Sequence, residues 1–73
     1  PTTNISFNLP EATSVKIAIY NTLGQEIEVL LDGVKNAGIH NLSFDAKGLS
    51  SGMYLYRMTT PSQTFTKQML LLK

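Results

Sequence analysis

The residues best suited to catalysis are His40, Ser43 and Asp45, which lie close together in the sequence. Those three residue types form the triad of serine hydrolases, in which a histidine activates the serine and an acid orients the histidine. Neighbours within one strand cannot adopt that arrangement, and the sequence around Ser43 lacks the nucleophile-elbow motif. The sequence therefore predicts that the protein is not an enzyme and has no small-molecule substrate.

Metal and cofactor chemistry also lacks the residues it needs. His40 is the one histidine, and it falls on the apolar side of a predicted strand, where a packed or edge histidine is the more common role. No spacing of acidic residues around it completes a metal-ligand set. The chain has no cysteine, which excludes disulfides, thiolate metal sites and a cysteine nucleophile. We expect no metal and no cofactor.

Charge and composition narrow the classes of partner. Six Lys and Arg residues against five Asp and Glu residues give a net charge of +1, and these charges are scattered. Nucleic-acid binding depends on a concentrated basic surface, so we expect no nucleic-acid partner. With 42% hydrophobic and 15% charged residues, the 73-residue chain has the composition of one globular domain rather than of a disordered tail.

Short runs of alternating apolar and polar residues dominate the chain, and this period of two is typical of half-buried strands. The predicted strands cover residues 5–9, 15–20, 27–31, 39–44, 53–60 and 64–72. Turn signals separate them at intervals of about 8–12 residues, the pattern of a β-sandwich. The predicted fold is all-β, an Ig-like antiparallel sandwich of six to seven short strands, the seventh arising if the predicted loop at 32–38 pairs.

The third predicted strand carries the least regular pattern. Its alternation places Ile27, Val29 and Leu31 towards the core, with the glutamates between them facing water. Leu30 breaks the alternation, so we expect the end of this strand to be partly covered on both sides. In the fifth strand, the same argument places Tyr54 and Tyr56 on one face.

Turns account for a group of residues that we interpret as structural. Asn21 and Gly24 occupy the first and fourth positions of a type I turn, and Gly52 permits an unusual backbone angle ahead of Tyr54. A buried tyrosine needs a partner for its hydroxyl, as at the tyrosine corner of sandwiches. The predicted structural residues are Asn21, Gly24, Gly38, Gly52, Tyr54 and Tyr56.

The last predicted strand is apolar on both of its faces. An edge strand normally keeps one face polar, so either both faces are covered or one of them awaits a partner. Strand addition would use such an edge, with backbone hydrogen bonds for affinity and alternate side chains for specificity. The predicted partner-binding residues are Lys67, Gln68, Met69, Leu70, Leu71, Leu72 and Lys73. The alternative is an ordinary closing strand whose lysines prevent aggregation.

Five segments in order resemble one family, the C-terminal sorting domains (type A) of type IX secretion cargo proteins. They are TTNISFNLPE at 2–11, the strand at 15–20 with NTLGQE at 21–26, AGIH at 37–40, LSSGMYLYR at 49–57 and KQMLLLK at 67–73. The resemblance implies that residues 1–73 are a single sorting domain and a fragment of a larger secreted protein. It also implies bacteria of the Bacteroidetes type.

The resemblance implies a function and a set of partners. Such a domain directs its cargo, once a general secretory signal has brought it to the periplasm, across the outer membrane to the medium or the cell surface. Its partners would be the outer-membrane translocon, surface sortase components and the N-terminal cargo domain of the same precursor. The alternative function is a passive Ig-like module, as in flagellar hook-capping proteins. A carbohydrate-binding module ranks last, because the chain has no Trp and few other aromatic residues.

Overall fold

A computed structural model describes residues 2–72 and shows an all-β fold of six strands. The strands are β1 (Thr2–Leu9), β2 (Thr13–Tyr20), β3 (Glu26–Lys35), β4 (Gly38–Asp45), β5 (Gly52–Thr59) and β6 (Thr64–Leu71). Five of the six agree with the predicted strands to within a few residues at each end. No helix in this part of the chain has the length and apolar character to cross a membrane.

Two antiparallel sheets of unequal width form the sandwich. The smaller sheet pairs β1 with β4, and the larger sheet has the order β3-β2-β5-β6. Every pairing is antiparallel, which confirms the predicted Ig-like sandwich. The larger sheet therefore has two strands more than the sheet that packs over it, with β3 and β6 at its edges.

The core lies between the sheets, where the alternating apolar residues of each strand meet. Ile17 and Ile19 of β2 and Phe44 of β4 are the largest fully buried side chains. Two clusters of buried residues divide the core along its length. One contains Ile19, Phe44, Ala46, Tyr54 and Leu71, and the other contains Leu9, Val15 and Ile17. Removing such apolar surface from water is the main force that holds the two sheets together.

The third strand differs from its prediction in its length and in which of its side chains face the core. β3 continues to Lys35 and pairs with β2 through the predicted loop, so that only Asn36 and Ala37 separate β3 from β4. This pairing lengthens β3 and adds no seventh strand. Two register shifts along the β2–β3 ladder place an extra residue in β3, first at Ile27 and again at Leu30.

These bulges change two of the three residues that were expected to face the core. A bulge inserts one residue without a cross-strand partner and so changes which side chains face inward. Leu30 packs against both core clusters, whereas Ile27 and Val29 are exposed. The prediction that Ile27 and Val29 face the core was therefore wrong. Leu31, the third member of that set, packs against the second cluster as predicted.

Candidate functional site

The predicted partner-binding segment lies on β6, an edge strand that pairs with β5 alone. Six of its seven residues, from Lys67 to Leu72, are described by the structure, and Lys73 lies outside the described residues. Lys67 and Gln68 are exposed at the middle of the strand. The other edge of β6 has no strand beside it among residues 2–72, so its outward backbone groups remain available for pairing.

The two faces of this segment differ in how they are covered. On the inner face, Leu71 is buried at 6% exposure and Met69 packs against the same core cluster. On the outer face, Leu70 is 58% exposed, and Leu72, just beyond the end of β6, is 76% exposed. One apolar face is therefore used by the core and the other faces solvent.

The outer face of β5 extends this exposed surface. Met53, 42% exposed, lies directly opposite Leu70 in the β5–β6 ladder. Directly opposite residues share a face of a sheet, so Met53 and Leu70 form one exposed apolar surface. Together with the exposed Leu72, which directly follows the end of β6, they are here called the outer patch. Leu55, two residues along β5, adds a half-buried side chain beside it.

A cation stacks on an aromatic ring next to the outer patch. Tyr20 lies opposite Leu55 across the β2–β5 ladder, and the guanidinium carbon of Arg57 is 4.7 Å from the centre of the Tyr20 ring. The Arg57 side chain also donates from Nε to Thr66 Oγ1 at 3.4 Å. The outer face of the larger sheet thus joins an apolar surface to a positively charged group, and the charge would favour a partner with acidic residues.

Asn21 organises the connection between β2 and β3. Its side-chain Oδ1 accepts hydrogen bonds from the backbone N–H groups of Leu23 at 2.9 Å and Gln25 at 3.0 Å. Its Nδ2 donates to Gln25 Oε1 at 2.7 Å, and its backbone oxygen accepts from Gly24 N at 3.0 Å. Gly24 has a φ of 85°, which side chains with a Cβ rarely adopt. These contacts are local to the turn.

The other predicted structural residues lie at strand starts and in the core. Gly38 opens β4 and Gly52 opens β5, and their φ values are 122° and 151°. The buried Tyr54 donates its hydroxyl proton to the backbone oxygen of Ser50 at 2.9 Å. Tyr56, two residues further along β5, packs against the first core cluster.

The three residues considered for catalysis have separate partners. The Nε2 of His40 is 2.7 Å from Asn36 O, and its ring stacks on Phe7 with 5.3 Å between centroids. Ser43 Oγ donates to Asn4 Oδ1 at 2.8 Å, and Asp45 Oδ1 accepts from Lys47 N at 2.9 Å. No hydrogen bond joins the three in the described part of the chain, where no cluster of metal-binding side chains occurs either.

Comparison with known families matches residues 1–72 to the family described as the secretion system C-terminal sorting domain. The chain belongs to this family. The predicted resemblance to type IX sorting domains is therefore confirmed over almost the whole chain. No curated protein and no solved structure matches the chain.

Family membership settles the broad role of this sorting domain. It is a sorting signal of a secretion system and belongs to a family that is not catalytic. A sorting tail acts as part of a cargo precursor and interacts with the secretion machinery. The destination of such a precursor is the cell surface or the medium, reached across the outer membrane.

Sequence reasoning missed the contribution of β5 to the exposed surface. The alternation predicts that the tyrosines of β5 face the core, and it assigns no role to Met53 and Leu55 on the opposite face. The sequence nevertheless indicates a second apolar face on this strand, since the run from Met53 to Met58 is apolar at five of its six positions. A strand that is apolar on both parities is either covered on both faces or exposes one of them.

Proposed function

We propose that the folded sorting domain docks onto the secretion machinery through β6 and the outer patch, and that this docking commits the attached cargo to export and cell-surface attachment. The observation that supports this proposal is a pair of exposed leucines, Leu70 on the edge strand β6 and Leu72 directly after its end. Exposed apolar surface of this kind is common at protein–protein interfaces.

Two kinds of contact would act together at this surface. The free backbone edge of β6 would pair with a strand of the partner, while the leucines of the outer face would fill apolar pockets beside it. Lys67 and the exposed Gln68 would lie at the polar rim of the same interface. The inner residues Met69 and Leu71 would contribute indirectly, because they hold β6 against the core.

The proposed partners are an outer-membrane translocon component and the surface sortase components that act after it. Docking to the translocon would come first, while the cargo is in the periplasm. The same outer patch would become available again after passage, and the sortase would then separate the sorting domain from the cargo and attach the cargo to the surface. The N-terminal cargo domain of the precursor would be carried along without contributing to recognition.

The decisive experiment is an export assay in a host that has the type IX machinery. Residues 1–73 are fused behind a fluorescent passenger that is targeted to the periplasm. We expect the passenger at the cell surface, and we expect deletion of residues 67–73 to abolish export while the passenger stays folded. Normal surface delivery without residues 67–73 would refute the proposal.

Point variants separate recognition from folding, because the deletion also removes the buried Leu71. Leu70→Thr with Leu72→Thr removes the exposed leucines and keeps a residue type that favours strands. Val34→Thr with Ile39→Thr is the matched control, since both side chains are 75% exposed and lie off β6. We expect the first pair to retain the passenger in the periplasm and the control to be exported. Retention of the unaltered fusion, with its domain folded, would favour a passive Ig-like module instead.

A further inference from the structure

A groove runs along the open side of the sandwich, between β1 of the smaller sheet and β6 of the larger one. Its volume is about 400 Å³, within the range of pockets that hold ligands, roughly 300–1,000 Å³. It exists because the larger sheet extends beyond β1, leaving its inner face uncovered there. The apolar side chains that line it are Ile5, Phe7, Ile17, Tyr56, Met58 and Phe65.

The backbone edge of β1 forms one wall of this groove. Residues 5–8 all line it, although successive residues of a strand point to opposite faces. Four consecutive residues border one groove when the edge of the strand, and not only its inner face, is turned towards it. β1 pairs with β4 on its other side, so alternate N–H and C=O groups along this edge point away from β4.

The edge of β1 carries none of the usual protection against pairing. Natural edge strands are blocked by charged residues, proline, bulges or short length. β1 has eight residues without a charge or a proline, and it pairs with β4 in unbroken register. The edge strand β3 shows the contrast, since it carries Glu26, Glu28 and Asp32 and is bulged twice.

We infer that the groove is a receptor for one extended peptide strand, supplied by another polypeptide, which pairs with the edge of β1 and completes the smaller sheet. The strand would lie about 4.8 Å from β1. Its inward side chains, at every second position, would fill the groove above Tyr56, Met58 and Phe65. This site is distinct from the outer patch, although Lys67 belongs to both proposed interfaces, and the inference does not rest on the proposed docking of β6.

The charges and the exposure along the groove specify the chemistry of the occupant. Among the described residues that line it, Lys67 is the one that carries a charge, so an acidic residue on the incoming strand would be favoured. Phe65 is 54% exposed and lies opposite the half-buried Met58 in the β5–β6 ladder. An apolar side chain above this pair would cover both. The occupant is therefore a strand that alternates apolar with polar residues and carries an acid.

The test uses the purified 73-residue chain and an eight-residue synthetic peptide that alternates valine with threonine and includes one glutamate opposite Lys67. A peptide of the same composition with its valines adjacent is the control. We expect saturable binding of the alternating peptide, measured by calorimetry, and slower amide hydrogen exchange along β1. Equal binding of both peptides, or no binding of either, would overturn the inference.

Substitutions in the chain locate the site. Phe65→Lys should weaken binding at least about tenfold, a typical loss for a central contact. Leu70 is an exposed apolar residue on the other face of β6, so Leu70→Lys should leave peptide binding unchanged. Lys67→Glu should weaken binding of the peptide that contains glutamate and strengthen binding of a peptide that has lysine at that position. If Leu70→Lys abolished peptide binding and Phe65→Lys retained it, the groove would not be the binding site.

A second copy of the chain is the competing occupant. Sedimentation of the unaltered chain over a range of concentrations distinguishes the two. A dimer that Phe65→Lys abolishes, together with failure of the peptide to bind, would overturn the assignment to a separate polypeptide. A monomer that binds the alternating peptide supports it. Neither result depends on export, so the proposed function is tested separately.

Discussion

Met53 and Leu70 lie directly opposite each other on β5 and β6, and both side chains face solvent. The next pair along the same ladder, Tyr54 and Met69, faces the core. The final two strands therefore carry one apolar pair that stabilises the fold and another that does not. Stability and recognition can be altered separately on these strands.

The first prediction compares the adjacent residues Leu70 and Leu71. Leu70→Thr should change the free energy of unfolding by less than about 0.5 kcal/mol, since surface substitutions away from special features are usually within that range. Leu71→Ala should lose about 2–5 kcal/mol, as is typical of buried leucines. Urea denaturation of the purified chain measures both. Similar losses in the two variants would mean that the outer face is also covered.

Strand positions and the sandwich itself followed from the sequence because the period of two is a local property. The facing of β3 did not, since the bulges at Ile27 and Leu30 arise from pairing with β2. A bulge leaves no clear mark on the alternation beyond the break at Leu30. The sequence indicated an irregular strand at Leu30, but only its pairing with β2 shows that the irregularity is a bulge.

The candidate site, too, has one part that the local sequence indicates and one part that depends on strand pairing. Apolar residues on both parities of the last strand indicated either that both faces are covered or that one face awaits a partner, and the structure leaves Leu70 and Leu72 exposed. The groove beside β1 could not be predicted, because it depends on how many strands join each sheet. Local patterns show that a strand exists and leave its neighbours undetermined.

The second prediction concerns the Tyr54 side chain, which combines a buried ring with the hydrogen bond to Ser50. Tyr54→Ala should lose about 3 kcal/mol or more, because it leaves a cavity in the first core cluster. Tyr54→Phe keeps the ring and should lose about 1 kcal/mol, the net value of one hydrogen bond. Thermal and urea unfolding provide the measurement. An unchanged melting temperature in Tyr54→Ala would contradict the packing argument.

The third prediction concerns Asn21 and the turn that it holds. Asn21→Ala removes the acceptor of two backbone N–H groups and should lose about 1 kcal/mol or more. Asn21→Asp retains an oxygen at the same position and should keep most of that stability. The comparison is made by urea denaturation. If both variants lose the same amount, the Oδ1 contacts are not what stabilises this turn.

The last prediction concerns pH and the ion pair on the outer face of the larger sheet. Lys16 Nζ lies 2.9 Å from Glu26 Oε1, and this hydrogen bond, with the carboxylate charge, raises the pKa of Lys16 above the ordinary value of 10.5. A raised pKa in the folded state stabilises the protein while the lysine is protonated in both states. The contribution is thus fully present below pH 10.5 and is lost as the pH rises through the raised value.

Lys16→Gln tests this pH dependence. The difference in melting temperature between wild type and variant should be constant at neutral pH, should shrink above pH 10.5, and should also shrink with added salt, because both side chains are partly exposed. Lys67→Gln, on β6, makes the same change in net charge and is the control. A difference that persists unchanged into the alkaline range would show that Lys16 acts through the packing of its aliphatic chain rather than through its charge.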